Sequence, residues 1–558
     1  MSDVMRRLTA PILRRLFPGL SPVTHRIEVR RDLRVPMPDG VDLLGDLYLP
    51  VGPPGTTAPT VLVRSPYGRA GHMALTARPL AERGFPVFVQ SCRGTFGSGG
   101  TFNPQIQEQA DGIATHRWVR EQPWFTGTLA TTGPSYVGYV QWAVAGELSR
   151  TDPDNAPDAV CLQVTMPDFG EATWDNGAFA LRNALGWTRS IYRQERRWAF
   201  LNPFLPDRRL ARAFDHLPLV EGDRVATGRT SPWYQDWLAH DDLTDPYWAC
   251  QSHTASVTDV TAPVSMVTGW YDVFLPWQLR NHAALAAVGR TPRLTVGPWG
   301  HMDTEMFAIA MADTQDFLRH HLMGEPTERK HPVRLYVTGA GDWREYDAWP
   351  PAGVRDETWM LQPGGGLATL APPSGEPSRY VYDPADPTPS LGGPMIAPGC
   401  GPVDNAAHEA RPDVLTFTSD VLTTPVEVVG EPRVTIALRS DRHCTDVFVR
   451  LCDVHPDGRS MTVCDAIRRI GGRATAAADP VADAEGVRDV EFTLWPTAHR
   501  FLPGHRLRIQ VSSGAHPRYA RNPGGGEPAA VATALYLAHQ EVLHDPVHPS
   551  RVVLPVLP

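Results

Sequence analysis

The chain has 558 residues, of which 42% are apolar and 20% charged, and its formal net charge is −9 at pH 7. A chain of this length exceeds what one hydrophobic core supports, so we expect two or three domains of ordinary globular composition. The negative net charge argues against a nucleic-acid-binding surface, which needs a basic face.

The amino-terminal segment reads MSDVMRRLTAPILRRLFPGL, and its arginines interrupt every apolar run, so no signal peptide is expected. Leu8, Ile12, Leu13 and Leu16 fall on one helical face, which leaves open whether a basic amphipathic helix touches a membrane or packs on its own protein. No apolar run is long enough to span a membrane, and the cytoplasm is the predicted location. The seven cysteines include no CxxC pair and are expected to be buried free thiols.

Between residues 60 and 320, short apolar runs alternate with patterns of helical period. This alternation is typical of a mostly parallel sheet with helices on both faces and reactive groups at the carboxyl ends of the strands. The predicted strands are Thr60–Val63, Phe85–Val89, Leu129–Thr132, Ala159–Val164, Val264–Thr268 and Arg293–Val296. The predicted helices are Ala74–Glu82, Gln107–Glu121, Tyr136–Leu148 and Trp277–Val288.

The pattern changes in two places. Residues 168–250 contain helical patterns, such as Phe179–Phe200 and Arg208–His216, with many tryptophans and no clear strand, which predicts a helical cap over a pocket. After residue 330, short β-type segments separated by turn residues predict an antiparallel sandwich, a jelly roll. These segments are Val333–Val337, Thr358–Leu361, Val414–Thr418, Glu427–Val429, Arg433–Leu438, Asp446–Leu451, Asp489–Leu494 and Arg506–Val511.

Ser135 stands in the run GPSYVG, directly after an apolar strand and before an apolar helix. A strand, a sharp turn with serine at its apex and a helix form a nucleophile elbow, in which small neighbours permit the turn. Val137 departs from the general GxSxG pattern, so a serine in an ordinary strand–helix turn is the alternative.

Two further residues supply what a serine nucleophile needs, which is a histidine base and an orienting carboxylate. Asp272 comes just past one apolar strand, and His301 comes just past the next. The order serine, acid, histidine is that of the α/β-hydrolases. Competing aspartates do not directly follow a strand, and competing histidines lie in helical or cap contexts. We therefore predict a triad of Ser135, Asp272 and His301.

The oxyanion of the reaction needs two donors. One is expected to be the backbone N–H of Tyr136, which directly follows the nucleophile. The other is expected from the early loop RSPYGR, which has no glycine run to present backbone donors, so the hydroxyl of Tyr67 is the candidate and a backbone N–H of that loop the alternative.

Taken together, several motifs resemble the CocE/NonD hydrolases, which include cocaine-esterase-like enzymes, X-prolyl dipeptidyl-peptidase-like enzymes and α-amino-acid ester hydrolases. They are SPYGR, CRGTFGSGGTF, QPW, GPSYVG, GWYD and GPWGH, followed by PDGR and FLPGHRLRIQVSSGAHPRYARNP in the carboxyl-terminal part. The likeness runs from about residue 28 to the end, and the family's G-x-S-Y-x-G motif accommodates Val137. The resemblance implies the triad Ser135, Asp272 and His301, with Tyr67 and the Tyr136 amide as oxyanion donors.

The resulting architecture is an α/β-hydrolase core with a helical cap insertion, followed by a carboxyl-terminal all-β jelly-roll domain. The predicted divisions are an extension at 1–27, a catalytic domain at 28–167 and 251–329, a cap at 168–250 and a jelly roll at 330–558.

Aromatic residues predict the substrate pocket and favour an uncharged apolar or aromatic acyl group; they are Trp174, Trp187, Trp270, Phe274 and Trp299. No acid follows Asp272 in the run VFLP, so the part that would bind a free α-amine is missing there, although Asp168 and Glu171 remain candidate amine partners. An acyl esterase is therefore placed ahead of an X-Pro dipeptidyl-peptidase, and a non-catalytic binding protein comes third.

No cofactor and no metal are expected. The glycine-rich run after Cys92 lacks the lysine of a phosphate-binding loop, and the pair His320 and His321 has no third ligand at a fitting spacing. The expected partner is a small-molecule acyl ester or amide, without nucleic acid or stable membrane insertion, and a homo-oligomer is left open.

Overall fold

The structure is a computed structural model that describes residues 19–51, 58–196, 207–472 and 478–558. The chain divides into two compact units. The first takes Met1–Phe169, Cys250–Gly269 and Phe274–Arg334, and the second takes Gly170–Ala249, Trp270–Val273 and Leu335–Pro558. The segment expected to form a cap therefore belongs to the same unit as the β-rich carboxyl-terminal residues. The domain boundaries predicted from the sequence assign these two segments to different domains.

Ten strands lie in the described part of the first 300 residues. Six of them coincide with predicted strands, and four were not predicted. The ten strands are β1 (Arg26–Pro36), β2 (Asp42–Val51), β3 (Thr60–Ser65), β4 (Val87–Ser91), β5 (Leu129–Pro134), β6 (Ala159–Gln163), β7 (Trp174–Asp175), β8 (Ala178–Phe179), β9 (Val264–Tyr271) and β10 (Arg293–Gly300).

A mixed sheet forms the centre of the first unit, and its strands lie in the order β1-β2-β4-β3-β5-β6-β9-β10. The pairs from β4 through β3, β5 and β6 to β9 are parallel, whereas β1 and β2 add an antiparallel edge. Strands β3, β4, β6 and β9 are buried along their whole length, as expected of parallel strands covered on both faces.

Helices follow the strands of the sheet and continue through the segment after β6. They are α1 (Ala74–Ala81), α2 (Glu108–Arg120), α3 (Tyr136–Thr151), α4 (Gly170–Thr173), α5 (Leu181–Arg193), α6 (Arg208–Asp215), α7 (Gly222–Thr227), α8 (Pro232–Ala239), α9 (Pro246–Ala249), α10 (Leu275–Ala287) and α11 (Thr304–Met323). No helix among the described residues is long and apolar enough to cross a membrane.

Strands dominate the chain after residue 332. They are β11 (Val333–Val337), β12 (Asp342–Tyr346), β13 (Arg355–Gln362), β14 (Gly366–Ala368), β15 (Ser378–Tyr382), β16 (Leu415–Ser419), β17 (Val426–Gly430), β18 (Arg433–Ser440), β19 (Thr445–Val454), β20 (Ser460–Ile470), β21 (Arg488–Thr493), β22 (Thr497–Phe501), β23 (Arg506–Ser512), β24 (Ala538–Leu543) and β25 (Arg551–Val556). Thirteen of them pair in one sheet, with the main order β15-β24-β18-β25-β13-β14-β16-β23-β19-β20.

Three expectations need correction or fall outside the structure. The expectation of no strand between 168 and 250 is wrong, because β7 and β8 form a short antiparallel ribbon. The run Phe179–Phe200 is helical over Leu181–Arg193, and its last four residues lie outside the described residues, as does the apolar face of the amino-terminal segment. The expectation of buried free thiols is correct in part: all seven cysteines are free and four are buried, but Cys400 and Cys444 are half-buried and Cys250 is exposed.

Candidate active site

Ser135 occupies the turn between β5 and α3 with φ +58° and ψ −127°, a conformation that a residue with a Cβ seldom adopts. The surrounding backbone holds it there. The Ser135 N–H donates to the Gln163 carbonyl at 2.9 Å, and the Ser135 carbonyl accepts from the Gly138 N–H at 2.9 Å and the Thr165 hydroxyl at 2.7 Å. Such a strained apex is what exposes the hydroxyl of a nucleophile elbow.

The two glycines of GPSYVG explain why Val137 is tolerated in the motif. A Cβ on Gly133 would lie 2.1 Å from Val137 Cγ1, so the valine fills the space that a side chain at 133 would need. A Cβ on Gly138 would lie 2.5 Å from Thr165 Cγ2, so this glycine lets α3 approach the end of β6. The spacing of the motif therefore follows from close packing of the turn and the helix.

His301 reaches the serine. It is the first residue after β10, it is almost fully buried, and its Nε2 lies 3.1 Å from Ser135 Oγ. A neutral imidazole at this distance can accept the hydroxyl proton. The ring of Phe274 meets the imidazole edge to face with centroids 5.3 Å apart, which restricts the orientation of the ring.

Asp272 is fully buried and is the first residue after β9, the strand beside β10 in the sheet. Two glycines make room for Trp299 of β10, Gly269 from the neighbouring strand and Gly297 from the same strand. A Cβ on Gly269 would lie 2.1 Å from the Trp299 carbonyl oxygen, and a Cβ on Gly297 would lie 2.3 Å from the Trp299 ring. The runs GWYD and GPWGH thus combine a predicted site residue at a strand end with a glycine that a close approach requires.

Behind the elbow lies a buried hydrogen-bond network that was not predicted from the sequence. The Tyr136 hydroxyl donates to Glu108 Oε1 at 2.9 Å and accepts from the Gln105 N–H at 2.7 Å. Glu108 Oε2 pairs with the Arg64 guanidinium at 2.9 Å, and Arg64 also donates to Gln90. Burial and the charge of Glu108 raise the pKa of Tyr136, so its phenol stays protonated. The available signal was Arg64, a charged residue inside the apolar run TVLVRS.

The loop that carries Tyr67 is fixed at both ends. The Tyr67 N–H donates to Ser65 Oγ at 3.0 Å, and the half-buried ring packs against the apolar core of the first unit. Arg69 donates to the Phe96 carbonyl at 2.6 Å and to Asp46 at 3.0 Å, which ties this loop to the glycine-rich run after Cys92. The glycine-rich run therefore supports the SPYGR loop.

The aromatic residues predicted to form the pocket lie in different environments. Phe274 contacts His301, whereas Trp299 is buried and its indole N–H donates to Glu305 at 3.2 Å. The other three belong to the second unit. Trp174 donates to the Trp237 carbonyl at 2.9 Å, Trp187 contacts the Trp233 and Trp237 rings, and Trp270 donates to the Tyr336 carbonyl at 2.7 Å.

Comparison with known proteins identifies the families to which this chain is similar. The chain matches the family models of the X-Pro dipeptidyl-peptidase (S15 family) at residues 39–303 and of the X-Pro dipeptidyl-peptidase C-terminal non-catalytic domain at 326–553. It is 32% identical to the cocaine esterase of Rhodococcus sp. (strain MB1 Bresler), over 96% of this chain and all of that protein.

Solved structures share the fold over nearly the whole chain. An α-amino acid ester hydrolase gives a TM-score of 0.81 at 24% identity and covers 97% of this chain and 98% of its own. An aminopeptidase from a marine sediment archaeon, Thaumarchaeota archaeon, gives a TM-score of 0.81 at 23% identity with the same coverage.

The elbow, the histidine at the next strand end and the relatives together define a serine hydrolase with an α/β-hydrolase core and a carboxyl-terminal β-domain. The predicted fold class is confirmed. The chain belongs to the CocE/NonD family, and like its relatives it is an enzyme that hydrolyses ester or amide bonds.

Proposed function

We propose that the enzyme is an esterase of small-molecule acyl esters in which Ser135 is the nucleophile, His301 the general base and Asp272 the orienting carboxylate. The observation that carries this assignment is the contact of 3.1 Å between His301 Nε2 and Ser135 Oγ at the apex of the elbow. Ser135 attacks the acyl carbonyl while His301 takes its proton and later returns it to the leaving alcohol. Water, activated by the same histidine, then releases the acid from the acyl-enzyme.

The developing oxyanion is assigned to the Tyr136 amide and the Tyr67 hydroxyl. Tyr136 is the first residue of α3, where amides have no carbonyl partner within the helix and the helix dipole favours negative charge. Tyr67 lies in a loop braced by Arg69, which supports a role that demands a fixed position.

An apolar or aromatic acyl group fits the residues beside the histidine. Phe274 packs against the His301 ring, and Phe169 packs against Phe274 with ring centroids 5.5 Å apart. Neither ring carries a charge that would select an ammonium group, and the relative at 32% identity is named for an ester substrate.

An X-Pro dipeptidyl-peptidase is the second candidate. Both family models that match this chain carry that description. Asp168 is half-buried, and its charge contributes, after burial and Glu108, to raising the pKa of Tyr139. A carboxylate is the group that would pair with the ammonium of a peptide amino terminus.

Substitution of Ser135→Ala tests the assignment. The hydrolysis of aryl and alkyl acyl esters should fall by about 10⁴-fold or more, as expected for loss of a triad nucleophile. Labelling by a fluorophosphonate probe should disappear with it. Ser149→Ala, on the same helix, should retain both the activity and the labelling. Near-normal turnover by pure, folded Ser135→Ala would contradict the proposal.

A parallel screen of acyl esters and Xaa-Pro arylamides separates the two candidate functions. We expect the esters to be hydrolysed with the higher kcat/KM. If Xaa-Pro arylamides are preferred and Asp168→Asn abolishes that preference, the peptidase is the correct assignment. The cytoplasmic location and the absence of a nucleic-acid partner remain predictions of the sequence.

A further inference from the structure

A cluster of metal-ligating side chains lies at one end of the large sheet in the second unit. Strand β19 ends at Val454, which pairs with Arg506 at the start of the antiparallel strand β23. His455 directly follows β19 and His505 directly precedes β23, so the register brings the two histidines opposite each other. Asp453 is two residues before His455 and therefore points to the same face of an extended chain.

The three side chains converge. One ligand atom from each of Asp453, His455 and His505 lies within 4.8 Å of the other two. His505 Nδ1 is 2.8 Å from Asp453 Oδ1, His455 Nε2 is 3.7 Å from Asp453 Oδ2, and the two imidazole rings have centroids 4.5 Å apart. The carboxylate is buried and the His505 imidazole nearly so, whereas the His455 side chain is 27% exposed, so an ion can enter on the His455 side and meet a buried anion.

Other polar groups face the cluster from neighbouring elements. His499 of β22 contacts Asp453, with Nε2 3.1 Å from Oδ2, and orients the carboxylate as an outer hydrogen-bond donor does in metal sites. Arg459 approaches His455 Nδ1 at 3.5 Å, and its half-exposed side chain pairs with Asp457 in the turn at 2.8 Å, which offsets its charge beside the cluster.

We propose that Asp453, His455 and His505 bind one zinc ion, with water completing a tetrahedral coordination sphere. Two imidazole nitrogens and one carboxylate oxygen suit Zn²⁺, whereas Ca²⁺ and Mg²⁺ prefer oxygen ligands alone. Small side-chain shifts bring the ligand atoms to the usual distances of about 2.0–2.2 Å from the metal. The sequence predicts no metal because these ligands are brought together by strand pairing, with Asp453 and His505 52 residues apart.

Such an ion would join the turn between β19 and β20 to the turn between β22 and β23. The first turn contains the motif PDGR, and the second lies within FLPGHRLR; both motifs are part of the family resemblance described above. Because the site belongs to the second unit and contains no member of the proposed triad, its expected effect is on the stability of that unit.

The experiment uses the full chain, stripped with a chelator, and titrates it with ZnCl₂ in a calorimeter. We expect one zinc per chain with a dissociation constant in the micromolar range or below, a higher Tm with zinc, and no comparable binding of Ca²⁺ or Mg²⁺. Co²⁺ should give the visible absorption bands of a tetrahedral nitrogen–oxygen site. Failure of the unaltered chain to bind either Zn²⁺ or Co²⁺ would overturn the proposal.

Two variants locate the site. His505→Gln and His455→Gln should each weaken zinc binding by about 100-fold or more. Of the two, His455→Gln disturbs the fold less, because the His455 ring is the more exposed. His548→Gln, a histidine of the same unit paired with Asp483, is the matched control and should bind zinc like the parent. Zinc binding that survives both cluster substitutions would place the ion elsewhere and refute the assignment.

Discussion

Each unit of the molecule buries an arginine–carboxylate cluster, and the two clusters differ in what they support. In the first unit, one arginine, Arg64, pairs with one carboxylate, Glu108, and the carboxylate holds the phenol of Tyr136 beside the nucleophile. In the second unit, Asp465 lies between two arginines, Arg450 at 2.9 Å and Arg518 at 2.5 Å. The first cluster is continuous with the elbow, whereas the second ties strands together.

The second cluster also shows how a buried excess of positive charge is accommodated. Arg450 donates to Asn405 Oδ1 at 2.6 Å, and Arg518 lies over the Trp495 and Tyr519 rings at 5.0 and 4.8 Å. The negative faces of aromatic rings attract a guanidinium and partly replace a second carboxylate. The comparison therefore predicts that a change in the second cluster reduces stability and a change in the first reduces turnover.

The largest expected effect on stability is that of Asp465→Asn. Burial acts to raise the pKa of Asp465, but the charges of Arg518 and Arg450 hold it below the ordinary value, so the carboxylate contributes stability at neutral pH that is lost only in acid. Removing its charge leaves two buried guanidinium groups without a counter-ion and should lower the free energy of unfolding by about 3–5 kcal/mol. Denaturant unfolding measures this loss, and the kcat of the folded variant should match the parent.

Asp356→Asn provides the surface control for that experiment. Asp356 and Arg433 form an ion pair in which both side chains are more than half exposed, and such pairs contribute about 0–1 kcal/mol. A cost below 1 kcal/mol for Asp465→Asn as well would show that the buried cluster is no more important to stability than a surface pair.

A smaller effect on stability depends on pH. His116 on α2 is buried near Arg64, and burial lowers its pKa to about 3, although its hydrogen bond to the Asn155 carbonyl opposes the shift. The unfolded chain binds a proton near pH 6.5 that the folded chain rejects, so stability is complete above that pH and falls as the pH drops toward 3. His116→Gln should reduce the loss of stability between pH 7 and pH 5 by about 2 kcal/mol.

Denaturant unfolding of parent and variant at both pH values measures this difference. His539→Gln alters an exposed histidine of the second unit and should leave the pH dependence of the parent in place. An unchanged pH dependence in His116→Gln would mean that His116 is not the group responsible for the loss of stability in this range.

The same contrast explains how much of the fold the sequence predicts. Strands such as β3 and β9 are continuous apolar runs because both faces are buried, and their positions follow from hydropathy alone. Strand β20 was missed because SMTVCDAIRRI contains Asp465, Arg468 and Arg469, which look like surface residues. The structure buries all three, and charge pairing across strands is a tertiary property that local pattern does not encode.

The candidate site divides in the same way. Ser135 and His301 were predicted because each lies at a strand end with glycines nearby, and the structure places their side chains in hydrogen-bond contact. The network of Arg64, Glu108 and Tyr136 was not predicted, because Glu108 lies 44 residues from Arg64 and 28 from Tyr136 in sequence and meets them only when α2 packs behind the elbow. Residues that act through another residue leave little local signal.

The smallest expected effect tests whether the first cluster supports turnover, through Tyr136→Phe. The substitution removes the hydroxyl that links Glu108 to the Gln105 N–H while it keeps the ring that packs against Phe102 and Tyr139. If the phenol is a positioning group for the Tyr136 amide, kcat should fall by about tenfold with KM nearly unchanged, because the oxyanion bond strengthens only as charge develops.

Loss of the proposed donor itself, in Tyr67→Phe, should reduce kcat more, by about 10²–10³-fold. Tyr234→Phe is the control: it removes a buried phenol of the second unit, on α8, whose hydroxyl donates to the Leu219 carbonyl at 2.8 Å. Equal kcat values for Tyr136→Phe and the control variant would show that the Tyr136 phenol only stabilises the fold. A loss of kcat confined to Tyr136→Phe, with burst kinetics showing slower acylation, identifies the cluster as support for the oxyanion site.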